Sequence, residues 1–74
     1  MTVGSIIHSL RAEKNVPQKT VAEYLNVSIA TISNYEVDRH MPDIGTLSRL
    51  ADYYGVSVDY LIGRTSIKNY SDSK

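Results

Sequence analysis

Hydrophobic residues recur at the spacing of α-helices from the start of the chain. Four of them occupy positions i, i+3, i+4 and i+7: Val3, Ile6, Ile7 and Leu10. Thr2 precedes them and belongs to a residue type that caps helix N-termini. The pattern therefore predicts a first helix that ends near Asn15. Because strand-like alternation is missing along the sequence, we predict an all-α fold.

Two short helices follow, joined by a tight turn. Pro17 suits the first turn of the second helix, where a missing N–H costs nothing. The buried stripe of this helix is predicted to be Val21, Ala22 and Leu25. Ser28 is a candidate N-cap for a third helix that runs to about Val37. The turn between them, Asn26 and Val27, is so short that the two helices must cross steeply.

The second half of the chain predicts two more helices. Asp43 follows Pro42 and can cap a fourth helix, which Gly55 ends. The apolar face of that helix is predicted to be Ile44, Leu47, Leu50, Ala51 and Tyr54. Ser57 can cap a short fifth helix, which ends at Gly63.

Length and composition fit one small domain. The 74 residues divide into a domain at 1–63 and a polar tail at 64–74, which we expect to be disordered alone. The longest apolar run is three residues, 60–62, too short for a membrane span or a signal-peptide core. The absence of cysteine suits a reducing compartment, and we expect a cytoplasmic protein. We predict no metal, no cofactor and no small-molecule ligand.

The third helix presents a small, polar outer face. With Ile32 directed to the core, about 100° of rotation per residue turns Ala30 and Asn34 outward and places Thr31 and Ser33 on the flanks. The residues predicted to turn inward with it are Ser28, Ile29, Tyr35 and Glu36. Such a helix can enter the DNA major groove, where asparagine pairs with adenine and alanine contacts a thymine methyl. An ordinary solvent-exposed face would have the same composition, so the rotation alone leaves both interpretations open.

A series of short motifs runs in order through residues 6–63. The matching positions are Leu10-Arg11, Gln18, Ala22, Val27-Ser28, Ile32-Ser33, Tyr35-Glu36, Pro42, Leu50-Ala51 and residues 56–59. Together they resemble the lambda repressor/Cro-type helix-turn-helix family, also called the XRE family. The resemblance covers about four-fifths of the chain. It implies a compact five-helix, lambda-repressor-like DNA-binding domain with a helix-turn-helix.

The resemblance and the rotation of the third helix together assign candidate DNA contacts. The predicted base-reading residues are Ile29, Ala30, Ser33 and Asn34. The predicted phosphate-binding residues are Gln18, Lys19, Ser28, Thr31, Arg39 and His40. Each of these six could instead be an ordinary surface residue, and capping alone would explain Ser28. We assign no role to His8.

The resemblance also implies a structural ion pair between Arg11 and Glu36, which would join the first helix to the third. A contact between Arg11 and a phosphate is the alternative. The sequence departs from the family at Asp38, where members often carry glycine. Aspartate tolerates a left-handed backbone less well than glycine, so we expect the same turn with slight strain.

In this family the last helix of the domain often pairs with its copy. The predicted dimer interface comprises Val58, Tyr60, Ile62, Ile67 and Tyr70. We therefore predict a sequence-specific transcriptional regulator, a repressor that binds a palindromic operator in double-stranded DNA as a homodimer. An enzyme is not predicted, since no nucleophile–base set, carboxylate pair or phosphate loop is evident, and we predict no catalytic residue.

Charge supports one alternative function. Eight basic residues balance eight acidic ones over the whole chain. Between Pro17 and Pro42, Lys19 and Arg39 stand against three acidic residues, which gives this region a net charge of −1. The three acidic residues are Glu23, Glu36 and Asp38. This favours a protein-interaction module on the same fold, of the antitoxin or antirepressor type, whose partner would be a toxin or an antirepressor.

Overall fold

The computed structural model describes residues 1–68, which form five helices. They are α1 (Val3–Lys14), α2 (Gln18–Leu25), α3 (Ile29–Glu36), α4 (Ile44–Tyr54) and α5 (Val58–Leu61). This part of the chain contains no strand, so the prediction of an all-α, five-helix domain is confirmed. None of these helices combines the length and the apolar character needed to cross a membrane.

Short polar side chains start most of these helices at the predicted residues. The Thr2 side chain accepts a hydrogen bond from the Ser5 backbone N–H, and the Ser5 side chain accepts one from the Thr2 backbone N–H, which forms a capping box. The other three capping side chains accept from the backbone N–H three residues further on: Ser28, Asp43 and Ser57. Each cap satisfies a donor that the helix itself cannot pair.

Three helix boundaries differ from the prediction. The fifth helix, predicted to end at Gly63, ends at Leu61 with Ile62 as its C-cap, and two others differ by one residue. Pro17 has an extended backbone (φ −77°, ψ 162°) and is the N-cap of α2, so the helix begins at Gln18. Neither the N-cap nor the first turn needs the missing N–H, so the sequence could not separate the two positions. At the other boundary, α3 ends at Glu36 and Val37 is its C-cap.

The hydrophobic core is formed by buried residues from all five helices and by Val56. Its buried members are Ile6, Ile7, Leu10, Val21, Ala22, Leu25, Ile32, Leu47, Leu50, Ala51, Val56 and Leu61. Burial of each large aliphatic side chain stabilises the fold by about 1.5–3 kcal/mol. Ala22, on α2, is 3% exposed, and α2 packs against α3. Ile44 was predicted on the apolar face of α4 but is 71% exposed, so that face begins at Leu47.

Residues 64–68 lie against the domain, which differs from the expectation of a disordered tail. The Ser57 backbone N–H donates to the Lys68 carbonyl, and Lys68 Nζ lies 3.0 Å from Glu13 Oε1. The Ser57 N–H is available because a helix does not pair its own N-cap donor. The remainder of the predicted tail, 69–74, is outside the described residues.

Candidate functional site

The turn between α2 and α3 is held by local hydrogen bonds. Asn26 adopts the left-handed conformation (φ 58°) that ends α2, and the Val27 N–H donates to the Ala22 carbonyl at 3.0 Å. Ser28 Oγ accepts from the Thr31 N–H at 3.1 Å and lies 2.9 Å from Thr31 Oγ1. The start of α3 is therefore fixed relative to α2.

The candidate base-reading residues are all solvent-accessible to some degree. Ala30 is exposed, and Ser33 and Asn34 are partly exposed. Ser28 is exposed and Ile29 is 48% exposed, so the expectation that these two residues turn inward was wrong. The reason is that α1 approaches α3 near Tyr35 and Glu36 and leaves the first turn of α3 open.

The candidate phosphate-binding residues lie in three segments of the chain. Gln18 and Lys19 begin α2, Ser28 and Thr31 begin α3, and Arg39 and His40 follow α3. The Arg39 and His40 backbone N–H groups donate to the Asn34 carbonyl at 2.9 and 3.3 Å, which folds this loop back onto α3. Lys19, Ser28, Arg39 and His40 are exposed, whereas Gln18 and Thr31 are partly buried.

Arg11 and Glu36 lie in a two-point ion pair between α1 and α3. Arg11 Nε lies 2.6 Å from Glu36 Oε2, and Arg11 Nη2 donates to Glu36 Oε1 at 3.1 Å. Gln18 Nε2 donates to the same Oε1 at 3.1 Å. Among residues 1–68, Glu36 is the buried charged residue, with a side chain 4% exposed. One carboxylate thus ties the first three helices together.

The partners of Glu36 determine its protonation. Burial alone would raise the pKa of the Glu36 carboxyl, because the charged form is desolvated. Hydrogen bonds from Arg11, His8 and Gln18, together with the Arg11 charge, outweigh burial and hold the pKa below its ordinary value. The hydrogen bond to Glu36 in turn raises the pKa of Arg11. The pair is therefore charged at neutral pH.

His8, to which the sequence assigned no role, belongs to the same cluster. Its Nδ1 lies 3.1 Å from Glu36 Oε1, and its side chain is 59% exposed. The residue stands three positions before Arg11, a spacing that places two side chains on one side of a helix. That spacing is the signal by which the sequence could have indicated it.

Two further contacts that the sequence did not indicate fix α3 and α2. Asp38, in the expected left-handed conformation (φ 62°), accepts from the Gly4 N–H at 2.9 Å. Arg49 donates from Nη2 to the Tyr24 carbonyl at 2.6 Å and lies over the Tyr24 ring. The first contact ties the end of α3 to the start of α1, and the second ties α4 to the end of α2.

The candidate dimer residues in α5 and after it include Tyr60, which lines an open groove. Val58 and Tyr60 are half-buried, and Ile62 and Ile67 are 37% and 41% exposed. The groove has a volume of about 320 Å³ and is lined by Met1, Ile6, Tyr60, Gly63, Thr65 and Ser66. Tyr70, the fifth predicted member, lies outside the described residues.

The sequence matches a protein family and several curated regulators. A helix-turn-helix family model matches residues 7–61. The HTH-type transcriptional regulator ImmR of Bacillus subtilis is 39% identical over 74 residues, 97% of this chain and 58% of that protein. The immunity repressor protein of Bacillus phage phi105 is 33% identical over 67 residues, 90% of this chain and 46% of that protein. The chain spans about half the length of these curated relatives.

Two solved structures share the fold. The P22 c2 repressor protein, in complex with the synthetic operator 9T, has a TM-score of 0.82 and 25% identity. That similarity covers 88% of this chain and 98% of the repressor chain. A transcriptional regulator from Listeria innocua also has a TM-score of 0.82, with 32% identity over 88% of this chain and 61% of that one.

Proposed function

Because the chain belongs to the lambda repressor/Cro-type helix-turn-helix (XRE) family, we propose that it is a DNA-binding transcriptional repressor. Its operator is palindromic, and the protein binds it as a homodimer with α3 in the major groove. The observation that carries this proposal is the open face of α3, held against α1 and α2 by the buried Glu36 cluster. A rigid helix with one free polar face suits direct readout of bases.

The residues on that face suggest what is read. Asn34 can bond the exposed edge of an adenine at two points, and Ala30 leaves room for the approach. Ile29, being exposed at the start of α3, is available to contact a thymine methyl. The hydroxyl groups of Ser28 and Thr31 are hydrogen-bonded to each other. Their proposed roles are therefore to support this turn and to contact a phosphate.

The low charge of the binding region sets the electrostatics. The only basic side chains between Pro17 and Pro42 are Lys19 and Arg39. Phosphates are then bound by backbone N–H groups, helix N-termini and neutral side chains such as Gln18. Counterion release is therefore small, about two or three ions per subunit, and the affinity depends only weakly on salt.

Dimerisation follows from the size of the site. A single α3 contacts only a few base pairs, so two copies on a two-fold symmetric site supply the remaining specificity. The exposed Ile62 and Ile67, with the half-buried Val58 and Tyr60, form the surface available for pairing. Repression in particular is supported by the immunity repressor of phage phi105 and by the P22 c2 repressor among the similar proteins.

Selection of bound duplexes from a random library tests this function. The purified protein, shown to be folded by circular dichroism, is incubated with the library at moderate salt. We expect a two-fold symmetric motif with half-sites about one helical turn apart. Recovery of an asymmetric motif contradicts the dimeric operator, and recovery of no motif contradicts DNA binding itself.

A matched pair of substitutions separates base readout from phosphate binding. We expect Asn34→Ala to relax discrimination at one base pair and to weaken binding of the selected site by about 1–3 kcal/mol. Lys19→Ala, on an exposed residue at the start of α2, should weaken all duplexes nearly equally. Affinities for the selected site and for its single-base variants measure both effects. If the two variants lose affinity for the same duplexes to the same extent, the base-reading residues do not include Asn34.

A protein-interaction module is the second candidate. It is favoured by the net charge of −1 between Pro17 and Pro42 and by three exposed apolar side chains after α3. These side chains are Val37, Met41 and Ile44, at 62%, 67% and 71% exposed. This function would be favoured if the folded protein selects no DNA motif but binds a toxin or an antirepressor protein.

A further inference from the structure

The contacts of His8 favour a ring that carries a proton on its inner nitrogen, Nδ1. Nδ1 lies 3.1 Å from the charged Glu36 Oε1 and 3.4 Å from Arg11 Nη2. If Nδ1 were unprotonated, two hydrogen-bond acceptors would face each other, because a carboxylate oxygen has no proton to donate. Nδ1–H therefore donates to Glu36, and the contact with Arg11 Nη2 joins two donors and is no hydrogen bond.

The outer nitrogen of His8 is directed away from that cluster. The ring is bound on its Nδ1 side and the side chain is 59% exposed, so Nε2 lies on the solvent side. Gln18 Nε2 shares the same Glu36 oxygen at 3.1 Å, which places His8 directly beside the first residue of α2. Since Nδ1 already carries hydrogen, Nε2 accepts a hydrogen bond in the neutral ring and donates one only in the imidazolium.

We propose that His8 binds a DNA phosphate through Nε2–H as an imidazolium, next to the phosphate contact of Gln18. The proposal rests on the proposed DNA-binding function and adds a residue and a condition to it. Glu36 orients the ring through Nδ1, which leaves Nε2 to bind the phosphate. The protein therefore binds its operator more tightly as the pH falls toward the acid side of neutrality.

Groups from several helices surround His8. Glu36 faces it from α3, Arg11 from its own helix, and the neutral Gln18 from α2. Tyr54 of α4 interacts with the charges of Arg11 and Glu36. Within residues 1–68, no charged side chain of α5 takes part in the hydrogen bonds or ion pairs of this group. One negative charge, Glu36, and one positive charge, Arg11, thus face the ring.

The test measures affinity for the selected operator duplex at about pH 8 and about pH 6, the range in which histidine side chains change charge. His40 is the other histidine of the chain, so the measurements are made in a His40→Ala background, where His8 is the remaining histidine. We expect this protein to bind about fivefold more tightly at the lower pH. Wild type and His8→Asn are measured in parallel, so the result does not depend on the His40→Ala background.

Two substitutions at His8 separate a phosphate contact from a structural role. His8→Asn keeps an amide N–H near the position of Nδ1, and with it the bond to Glu36, but has no outer nitrogen. His8→Ala lacks both groups. We expect both to lose the fivefold gain, and we expect His8→Asn to keep the melting temperature of the parent protein.

The remaining outcomes overturn the proposal. If His8→Asn still binds the operator about fivefold more tightly at the lower pH, Nε2 of His8 does not bind a phosphate. The same conclusion follows if the His40→Ala protein shows no increase in affinity at the lower pH. If the folded protein binds no duplex at either pH, the proposed function fails and this inference fails with it. Binding with a pH dependence independent of His8 overturns the inference alone.

Discussion

Gly4→Ala is expected to destabilise the domain by about 3 kcal/mol, although alanine is the better helix former. A Cβ at this position would lie 2.5 Å from the Tyr35 carbonyl oxygen and 2.7 Å from both the Glu36 carbonyl oxygen and Asp38 Oδ1. Two of these atoms belong to the backbone of α3, which cannot move aside as a flexible side chain can. The helices must therefore separate, and the Gly4–Asp38 hydrogen bond is lost with them.

Thermal and urea unfolding measure this effect, and Gly45→Ala is the matched control. A loss of about 3 kcal/mol lowers the melting temperature of a domain of this size by roughly 15 °C. A Cβ at Gly45 would meet only Asp43 Oδ1 at 3.7 Å, an ordinary contact. Gly45→Ala should therefore stabilise α4 by up to about 1 kcal/mol. Equal effects of the two substitutions would show that α1 and α3 do not approach as closely as described.

Glu36→Gln is expected to destabilise the protein by about 3 kcal/mol, because it leaves the Arg11 charge without its partner. The two side chains are 4% and 16% exposed, so water replaces little of the lost interaction. DNA affinity should fall as well, since Glu36 also positions Gln18 and His8. Urea unfolding and operator binding are measured on the same protein. An unchanged unfolding midpoint would contradict the structural role of the cluster.

The exposed pair between Lys68 and Glu13 supplies the control for Glu36→Gln. These side chains are 44% and 57% exposed, so Glu13→Gln should cost less than about 1 kcal/mol. Acid supplies a second check. Because folding lowers the pKa of Glu36, its stabilising contribution is complete above the ordinary carboxyl pKa of about 4.3 and is lost as the pH falls through the lower, folded value. The stability difference between wild type and Glu36→Gln should therefore shrink below about pH 4.

Local features of the fold could be predicted from the sequence because their causes lie within a few residues. Ser28 and Asp43 cap the backbone three residues on, and Asn26 ends α2 through its own backbone conformation. The i, i+3, i+4 spacing likewise placed the buried positions of α1, such as Ile7 and Leu10. In each case the residues that determine the local structure lie within a few positions of each other in the sequence.

Contacts between helices were harder to predict, because they depend on how distant segments approach. His8 meets Glu36 across 28 positions, and Gly4 meets Asp38 across 34. Nothing in the spacing of these residues measures the distance between α1 and α3. Ile29 shows the same limit: the rotation around α3 predicted that it turns inward, but it is 48% exposed, because the sequence does not show which turns of α3 the other helices cover. The resemblance supplied Arg11 with Glu36 because it carries a whole arrangement rather than a local pattern.

The hydrogen bond from Gly4 to Asp38 has a consequence for amide hydrogen exchange. Backbone N–H groups in the first turn of a helix normally lack a partner and exchange readily with solvent. The Gly4 N–H is bonded to a side chain 34 positions away, so its protection comes from the docking of α3 rather than from α1 itself. Exchange at this amide therefore reports how often α1 and α3 part, while amides further along α1 report the opening of that helix.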